Sequence, residues 1–263
     1  MKIKRFIPPF FKAFFPLMKG VLFDIPKMGR HKEKYDINVR HDNLKKLIKR
    51  VNKALNAEII IFGEENILST SSLYISNHLS ASDAILIYEI LNKMPSSFVS
   101  KIELEKNKII KDAISQIDGL FMDRNDLRQS LKVMGKVQDT LKEGSLSWVI
   151  YAEGTRLHDP SSLINEMHSG SFRPAIKANA PIVPVATFGS HLLLKNKPYY
   201  KRYPIYFSFL KPIYPDEYKG MKTEEIAKMV ESRIQKEISF KLRKLHHLEM
   251  IKDKKYRLHY ISE

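Results

Sequence analysis

Short apolar runs alternate with amphipathic stretches along most of the chain. The apolar runs are rich in β-branched and aromatic residues, which predicts strands, and they cover residues 57–63, 72–76, 97–101, 119–123, 146–152, 181–187 and 205–210. Between them apolar residues recur at helical spacing, which predicts helices at about 43–57, 84–92, 103–115, 125–142 and 223–244. Strands that alternate with helices are typical of an α/β layer fold. We therefore predict an α/β domain over residues 57–245, with a mostly parallel central sheet flanked by helices.

The segment before this domain, residues 1–56, has a different pattern. Its first part alternates phenylalanines and aliphatic residues with lysines, and prolines interrupt the apolar stretch from Phe6 to Phe23. A spanning helix needs about 20 continuous apolar residues, and a cleavable signal needs an unbroken apolar region, so we predict neither. Aromatic rings beside cations favour a helical segment that lies in a membrane interface. The alternative is that these phenylalanines pack on the domain as ordinary core.

Charge and composition narrow the range of partners. The net charge is +16, which indicates a polyanionic partner such as an anionic membrane, phosphorylated substrates or nucleic acid. A lysine-rich surface without such a partner is the alternative. The chain has no cysteine, which excludes disulfides, thiolate nucleophiles and cysteine-bound zinc, and fits a reducing compartment. The charged residues 246–263 predict a loosely held tail, in which His246 and His247 are solvated rather than metal ligands.

The string NHLSASD at 77–83 places His78 and Asp83 five positions apart after an apolar strand. Residues at this spacing do not share a helix face, so a strand–turn–helix arrangement is what allows them to meet. We expect Ser80 or Ser82 to cap the following helix and Asp83 to lie in its first turn. Asp83 could then hold one imidazole nitrogen and leave the other free as a base. A hydrogen-bonded structural histidine is the alternative.

The same spacing occurs a second time and has no such context. His31 and Asp36 stand in the charged string HKEKYD, which has no apolar strand before it. We interpret this pair as a solvated surface. The flanking strand and helix, rather than the spacing, therefore distinguish His78 and Asp83.

A second polar string, YAEGTRL at 151–157, follows another apolar strand. Gly154 permits a tight turn and close approach of a substrate. Thr155 offers a hydroxyl, and Arg156 offers a fork of donors that suits a phosphate. Glu153 could hold Arg156 in place or contact a substrate hydroxyl. An exposed turn with a surface Glu–Arg pair is the alternative.

Two further cations follow predicted strands. Lys101 follows the strand residues SFVS (97–100), and Arg124 comes after the strand at 119–123. Each one alone is more often a surface charge. Ligands gather at the carboxyl ends of strands in open α/β sheets, so these two cations and Arg156 together would form one positive pocket.

Four blocks of this sequence, in order, resemble the motifs of the glycerolipid acyltransferase family, PlsC-like. They are NHLSASD (77–83), GLFMDR (119–124), EGTR (153–156) and APIVPVA (180–186), with KIEL (101–104) before the second. Together they cover roughly residues 70–190. The chain departs from the family pattern at Tyr151-Ala152, where Phe-Pro is usual, and at Leu157, where Ser is common. It also lacks the Pro-x-x-Gly element that usually precedes the second block.

The resemblance implies transfer of a fatty acyl group from an acyl carrier protein or coenzyme A thioester to lysophosphatidic acid. In that reaction His78 is the general base and Asp83 orients it. The acceptor's phosphate is held by Lys101, Arg124 and Arg156, and Glu153 and Gly154 shape the acceptor site. Activity should fall at acid pH, because the base must be uncharged. No metal or cofactor is expected.

The expected setting is the cytoplasmic face of the cell membrane, with the protein peripheral or monotopic on an anionic phospholipid surface. Two alternatives stay open. The same chemistry could act on glycerol 3-phosphate or another lysophospholipid, or the chain could be a basic membrane- or nucleic-acid-binding protein. The second alternative is disfavoured because the chain has no RNA-recognition or zinc-finger pattern, so no nucleic-acid partner is expected.

Overall fold

The computed structural model describes residues 18–157, 164–194 and 202–250. The aromatic and basic residues 1–17, on which the predicted anchor mainly depends, lie outside the described residues, as do residues 251–263 of the predicted tail. The helices are α1 (Ile25–Arg30), α2 (Ile37–Ala54), α3 (Asp83–Ile90), α4 (Lys108–Gln116), α5 (Leu127–Glu143), α6 (Arg173–Ala178), α7 (Pro215–Tyr218), α8 (Thr223–Glu237) and α9 (Arg243–Met250). The strands are β1 (Ala57–Phe62), β2 (Leu73–Ser76), β3 (Ser96–Lys101), β4 (Leu120–Met122), β5 (Ser147–Ile150), β6 (Ile182–Phe188) and β7 (Tyr203–Phe209).

The seven strands form one sheet in the order β1-β7-β6-β2-β5-β3-β4. The five strands from β6 to β4 in this order are mutually parallel. Strand β7 runs antiparallel to β6, and β1 is parallel to β7. The predicted α/β fold with a mostly parallel sheet is therefore confirmed. The turns after β2, β5, β3 and β4 all lie at one edge of the sheet, which is where ligands bind in such folds.

Both faces of the sheet are covered by apolar side chains. On β2, Leu73 and Ile75 pack into one core layer, and Tyr74 packs into the opposite layer. Successive side chains of a strand point to opposite faces, so a strand buried on both sides reads as a continuous apolar run. This is why the run at 72–76 shows no alternation of apolar and polar residues.

Helices α1 and α2 pack on the α/β layer through α4. Arg30 donates to Asp112 at 2.7 Å, and Arg40 donates to Asp118 at 2.7 Å. The backbones of α1 and α4 approach so closely at Gly29 that a Cβ atom there would lie 2.1 Å from the backbone oxygen of Asp112. Residues 18–56, which are the described part of the predicted N-terminal segment, thus pack against the α/β domain. Its role at a membrane stays a prediction, and so does the division of the chain at residue 56.

Replacing Gly29 with alanine should lower the free energy of unfolding by roughly 1–3 kcal/mol, because α1 and α4 must move apart to admit the methyl group. Urea titration measures this change. Gly135→Ala is the matched control, since an added Cβ at that helical position meets no atom within 4 Å. The control should raise stability by up to about 1 kcal/mol. Equal stability of the two variants would contradict the close approach.

The C-terminal helix continues beyond the predicted end at residue 244. Leu242, His246 and Met250 are all buried and lie at intervals of four residues, so they share one helix face. The ring of His246 packs edge-on against Phe188 and Tyr206, and burial lowers its pKa to about 3. The prediction that His246 belongs to a solvated tail is therefore wrong, because its spacing from two apolar residues places it in the core.

Within the described residues, no helix combines the length and the apolar character needed to cross a bilayer.

Candidate active site

The turn between β2 and α3 brings the two predicted proton-transfer groups together. His78 Nδ1 lies 2.9 Å from Asp83 Oδ2, and Asp83 is the first residue of α3. The side chain of His78 is 21% exposed, whereas that of Asp83 is fully buried. In the neutral imidazole, a carboxylate at this distance favours the tautomer with the proton on Nδ1, in which Nε2 can accept a proton.

The same carboxylate oxygen also closes the turn. Asp83 Oδ2 accepts from the backbone N–H groups of Leu79 and Ser80 at 2.7 and 2.8 Å. The expected hydroxyl cap is wrong, because Ser82 donates to the Ser80 hydroxyl at 3.0 Å and makes no cap hydrogen bond. Asp83 therefore both forms the turn and orients the imidazole, and one substitution can disturb both.

Glu153 supports the turn between β2 and α3 from inside the protein. It is 3% exposed, and its two oxygens accept from the backbone N–H groups of His78 at 2.7 Å and Asn165 at 2.8 Å. Burial, with a smaller contribution from the charge of Asp83, raises the pKa of Glu153 from 4.5 to about 7, and the hydrogen bonds from Asn165 and His78 act against this rise. Glu153 thus points into the protein and positions two loops.

Two further contacts fix the backbone around His78. The N–H of Leu157 donates to the carbonyl of His78 at 2.9 Å, which joins the EGTR turn directly to the NHLSASD turn. The side-chain amide of Asn77 donates to the carbonyl of Thr187 and accepts from its N–H, at 3.0 and 2.8 Å. The turn is therefore tied both to the loop after β5 and to the end of β6.

Tyr151 supports the imidazole ring. The rings of His78 and Tyr151 stack with their centroids 4.1 Å apart and their planes 21° apart. Burial, and to a lesser extent Asp83, raises the pKa of Tyr151 well above its ordinary value, so its hydroxyl stays protonated. Tyr151 is one of the residues at which the chain departs from the family pattern, and a flat ring there restricts rotation of His78.

One large cavity opens at this edge of the sheet. Its volume is about 1120 Å³, which exceeds the range usual for sites that bind one small ligand. His78 and the three predicted cations Lys101, Arg124 and Arg156 all line it, together with Gly154 and Thr155. Strands β5, β3 and β4 are neighbours in the sheet, so the cations that follow them converge. Lys101 is paired with Glu103 at 3.0 Å.

Gly154 lines the cavity, and two side chains approach its backbone closely. Its φ is +71°, a backbone conformation that residues other than glycine rarely adopt. An added Cβ would lie 2.9 Å from His168 Nε2 and 3.3 Å from Arg124 Nη1. His168 and Arg124 therefore both approach the open face of this glycine. Partial burial lowers the pKa of Arg124, and the charge of Glu103 acts in the opposite direction.

The other part of the cavity is apolar. Its walls come from α2, α3 and α4, with Leu44, Ile48, Ile85 and Ala113 among the lining residues. The cavity thus joins a cationic end beside His78 to a long apolar region. This combination suits a ligand that has a charged head and a hydrocarbon chain.

The sequence reasoning identified the groups that face the cavity and missed their supports. The structure places His78, Lys101, Arg124, Gly154, Thr155 and Arg156 on the cavity wall and buries Asp83 and Glu153 behind His78. Tyr151, Asn165 and His168 were not predicted as parts of the site. Tyr151 could have been suspected, since it replaces a usual Phe two residues before Glu153. His168 and Asn165 carry no local signal, because the chain must fold back to bring them here.

Groups of three or more histidine or acidic side chains placed to hold a metal ion do not occur among the residues that the structure describes. The expectation that no metal or cofactor takes part stays a prediction.

The sheet thus carries an oriented imidazole and several cations around one cavity at its strand ends, and comparison with known proteins identifies the class of protein. Residues 58–187 match the family model described as Acyltransferase. A protein named as a probable 1-acyl-sn-glycerol-3-phosphate acyltransferase from Mycoplasma pneumoniae is 27% identical over 75% of this chain and 77% of its own length. A protein of the same name from Mycoplasma genitalium is 30% identical over 51% of this chain and 50% of its own length.

A solved structure shares the fold. The crystal structure of the 1-acyl-sn-glycerophosphate (LPA) acyltransferase PlsC from Thermotoga maritima matches with a TM-score of 0.68 and 22% sequence identity, over 90% of this chain and 96% of that one. The resemblance found in the sequence motifs is confirmed by the family model and the named relatives. Residues 58–187 form an acyltransferase domain that is similar to the PlsC-like glycerolipid acyltransferases.

Proposed function

We propose that the protein transfers a fatty acyl group from an acyl thioester to the free hydroxyl of lysophosphatidic acid, giving phosphatidic acid. The observation that carries this proposal is that His78, oriented by Asp83 at 2.9 Å, shares one cavity with Lys101, Arg124 and Arg156. A base and a cluster of cations in one cavity suit an acceptor that has both a hydroxyl and a phosphate.

The reaction follows from the geometry at His78. Nε2 takes the proton of the acceptor hydroxyl as its oxygen attacks the thioester carbonyl. Asp83 stabilises the imidazolium that forms. The tetrahedral intermediate then collapses, the carbon–sulfur bond breaks, and the imidazolium returns the proton to the leaving thiolate. No covalent acyl-enzyme is needed, and no cofactor beyond the thioester substrate takes part in these steps.

The two regions of the cavity divide the substrates. The phosphate binds at the cationic end, where Arg124 and Arg156 offer planar donor forks. Hydrocarbon chains occupy the apolar region between α2, α3 and α4. The thioester carrier is acyl carrier protein or coenzyme A.

The proposed location is the cytoplasmic face of the membrane, on an anionic phospholipid surface. Leu22 and Phe23, which follow the aromatic and basic stretch at the start of the chain, are 51% and 65% exposed. Exposed apolar side chains beside a basic segment suit an interfacial contact.

The experiment that tests the function is acyl transfer by the purified protein from defined acyl thioesters. The acceptors are lysophosphatidic acid, glycerol 3-phosphate and a lysophospholipid without a terminal phosphate. We expect phosphatidic acid to be the main product. Transfer to glycerol 3-phosphate alone, with none to lysophosphatidic acid, would favour the second acceptor, and no transfer to any acceptor would refute the proposal.

Arg156→Ala should raise the KM for lysophosphatidic acid by about tenfold or more, because it removes a charge-assisted contact with the phosphate. Steady-state kinetics at saturating thioester measure this effect. Lys106→Ala is the control, since Lys106 is exposed and does not line the cavity. An unchanged KM in the Arg156 variant would remove this residue from the phosphate site.

The pH profile should contain a step near pH 7 that belongs to Glu153. As a carboxylate, Glu153 accepts two backbone N–H bonds, and its pKa of about 7 means that it becomes protonated as the pH falls through 7. The loop that carries His78 then loses one of its supports. We expect kcat/KM to fall roughly tenfold through this step.

Glu153→Gln tests the origin of this step. The amide cannot titrate, so the step near pH 7 should be absent, and kcat/KM above pH 7 should be roughly tenfold lower than in the parent because an amide N–H then faces a backbone donor. A step near pH 7 that persists in the variant would show that Glu153 does not titrate with activity.

A further inference from the structure

The rim of the cavity carries aliphatic side chains that face solvent. Leu104 lies in the short helical turn before α4 and is 44% exposed. Ile109 lies in the first turn of α4 and is 43% exposed. Leu127 is 73% exposed and Leu131 is 55% exposed, one turn apart at the start of α5. These four residues are here called the rim residues. Four large exposed aliphatic side chains that line one cavity mark an interaction site more often than chance exposure does.

The rim residues continue into the apolar region of the cavity. All four also line the cavity that contains His78. Apolar side chains therefore line this cavity both at the exposed rim and on the interior wall. A hydrocarbon chain that enters here would not cross water, provided that the rim itself lies against an apolar phase.

The chain around the rim is basic. Residues 101–111 contain four lysines and two glutamates, and residues 123–136 contain two arginines, two lysines and two aspartates. Arg128 and Lys132 are exposed and do not line the cavity. They alternate with Leu127 and Leu131 on the first turns of α5. Aliphatic side chains interleaved with cations suit an apolar layer bordered by anionic groups.

We propose that the rim residues form a second membrane-binding surface, by which the mouth of the cavity sits on an anionic phospholipid leaflet. Leu127 and Leu131 enter the boundary between headgroups and acyl chains, and Arg128 and Lys132 contact lipid phosphates. This surface is separate from the predicted anchor in residues 1–56. The proposal rests on the proposed function only in that a lipid acceptor would use the opening to reach His78.

A bilayer fits these observations better than an acidic carrier protein does. A carrier protein that delivers a thioester needs complementary charge at the opening, but it would not require a leucine that is 73% exposed in the free protein. A bilayer uses both features, since it offers phosphates at its surface and hydrocarbon a few ångströms below. The carrier protein is therefore an outcome of the test.

The absence of cysteine makes the test direct, because one introduced cysteine is the only labelling site. Leu127→Cys and Phe240→Cys are labelled with an environment-sensitive fluorophore. Phe240 is 77% exposed and does not line the cavity, so it is matched in exposure. Vesicles of phosphatidylglycerol and phosphatidylcholine are added. The label at 127 should shift to shorter wavelength and be quenched by lipid-borne quenchers, and the label at 240 should not respond.

A variant with fewer basic residues gives a second, independent test of the proposed surface. Arg128→Gln combined with Lys132→Gln should weaken binding to the anionic vesicles by about tenfold or more, since each basic residue near the surface contributes roughly 1 kcal/mol. The parent protein should bind pure phosphatidylcholine vesicles more weakly than anionic ones. Both measurements use vesicle co-sedimentation and need no substrate.

The proposal is overturned if the label at 127 behaves like the label at 240, even when the protein binds vesicles, because the contact would then lie elsewhere. It is also overturned if only an acidic carrier protein, and no vesicle, changes the label at 127. The measurements are repeated in a His78→Ala background, where the response should persist. Absence of acyl transfer by the parent protein, with the response of the label at 127 retained, would refute the proposed function and leave this surface intact.

Discussion

His78→Ala should lower kcat for acyl transfer on the order of 10²–10⁴-fold or more, since it removes the general base from the reacting hydroxyl. The backbone N–H and carbonyl of residue 78, which bond to Glu153 and Leu157, remain in the variant. The turn should therefore keep its shape, and the KM for the acceptor should change little. Single-turnover assays with radiolabelled thioester measure the chemical step directly.

His31→Ala is the matched control for this prediction. His31 has the same spacing to an aspartate, Asp36, but it is 56% exposed in its side chain and does not line the cavity. Its replacement should leave kcat unchanged. Circular dichroism and the melting temperature of both variants report whether the fold is kept. A folded His78 variant with full activity would exclude the proposed mechanism.

Asp83→Asn should lower kcat on the order of 10³-fold, as expected when a base loses the charge that stabilises its protonated form. The two backbone donors of Leu79 and Ser80 require an acceptor at the Oδ2 position. The amide oxygen will therefore occupy it, and the substitution removes the charge while it keeps the turn. Steady-state kinetics should show a fall in kcat with little change in the KM for the acceptor.

Asp83→Ala separates orientation of the base from formation of the turn. This variant leaves the two backbone N–H groups without their acceptor, so stability should fall by roughly 1–3 kcal/mol, whereas Asp83→Asn should be nearly as stable as the parent. Asp36→Asn is a control for activity, since Asp36 caps α2 and is distant in sequence from the site. If Asp83→Asn kept full activity, the charge of Asp83 would have no part in the reaction.

Glu153 illustrates how a motif residue can be identified correctly and still have its environment misjudged. From the sequence, its neighbours Gly154 and Arg156 favour a role at the ligand, either holding the arginine or contacting a hydroxyl. In the structure its carboxylate turns inward and binds the backbone of His78 and Asn165. These partners lie 75 and 12 positions away in the chain, so no local pattern could indicate them. The burial that results is also what raises its pKa.

The sequence by itself determined the layered α/β architecture and the chemistry at the strand ends. Periodicity depends on neighbouring residues alone, because apolar spacing reports which face of a strand or helix is buried. The groups that face the cavity follow the same logic. Lys101 ends its strand, and His78, Arg124 and Arg156 lie two to six residues beyond the ends of theirs. Parallel strands end at one edge of a sheet.

Only the tertiary structure decided what surrounds these groups. It placed Tyr151 against the imidazole and made α1 and α2 part of the cavity wall. It also reversed β7 and β1 relative to the other strands and buried His246 in the core. Each of these features depends on contacts between residues far apart in the chain. The physical reason is that local propensity sets the elements, whereas their mutual packing selects which polar groups are buried, paired or left open to a ligand.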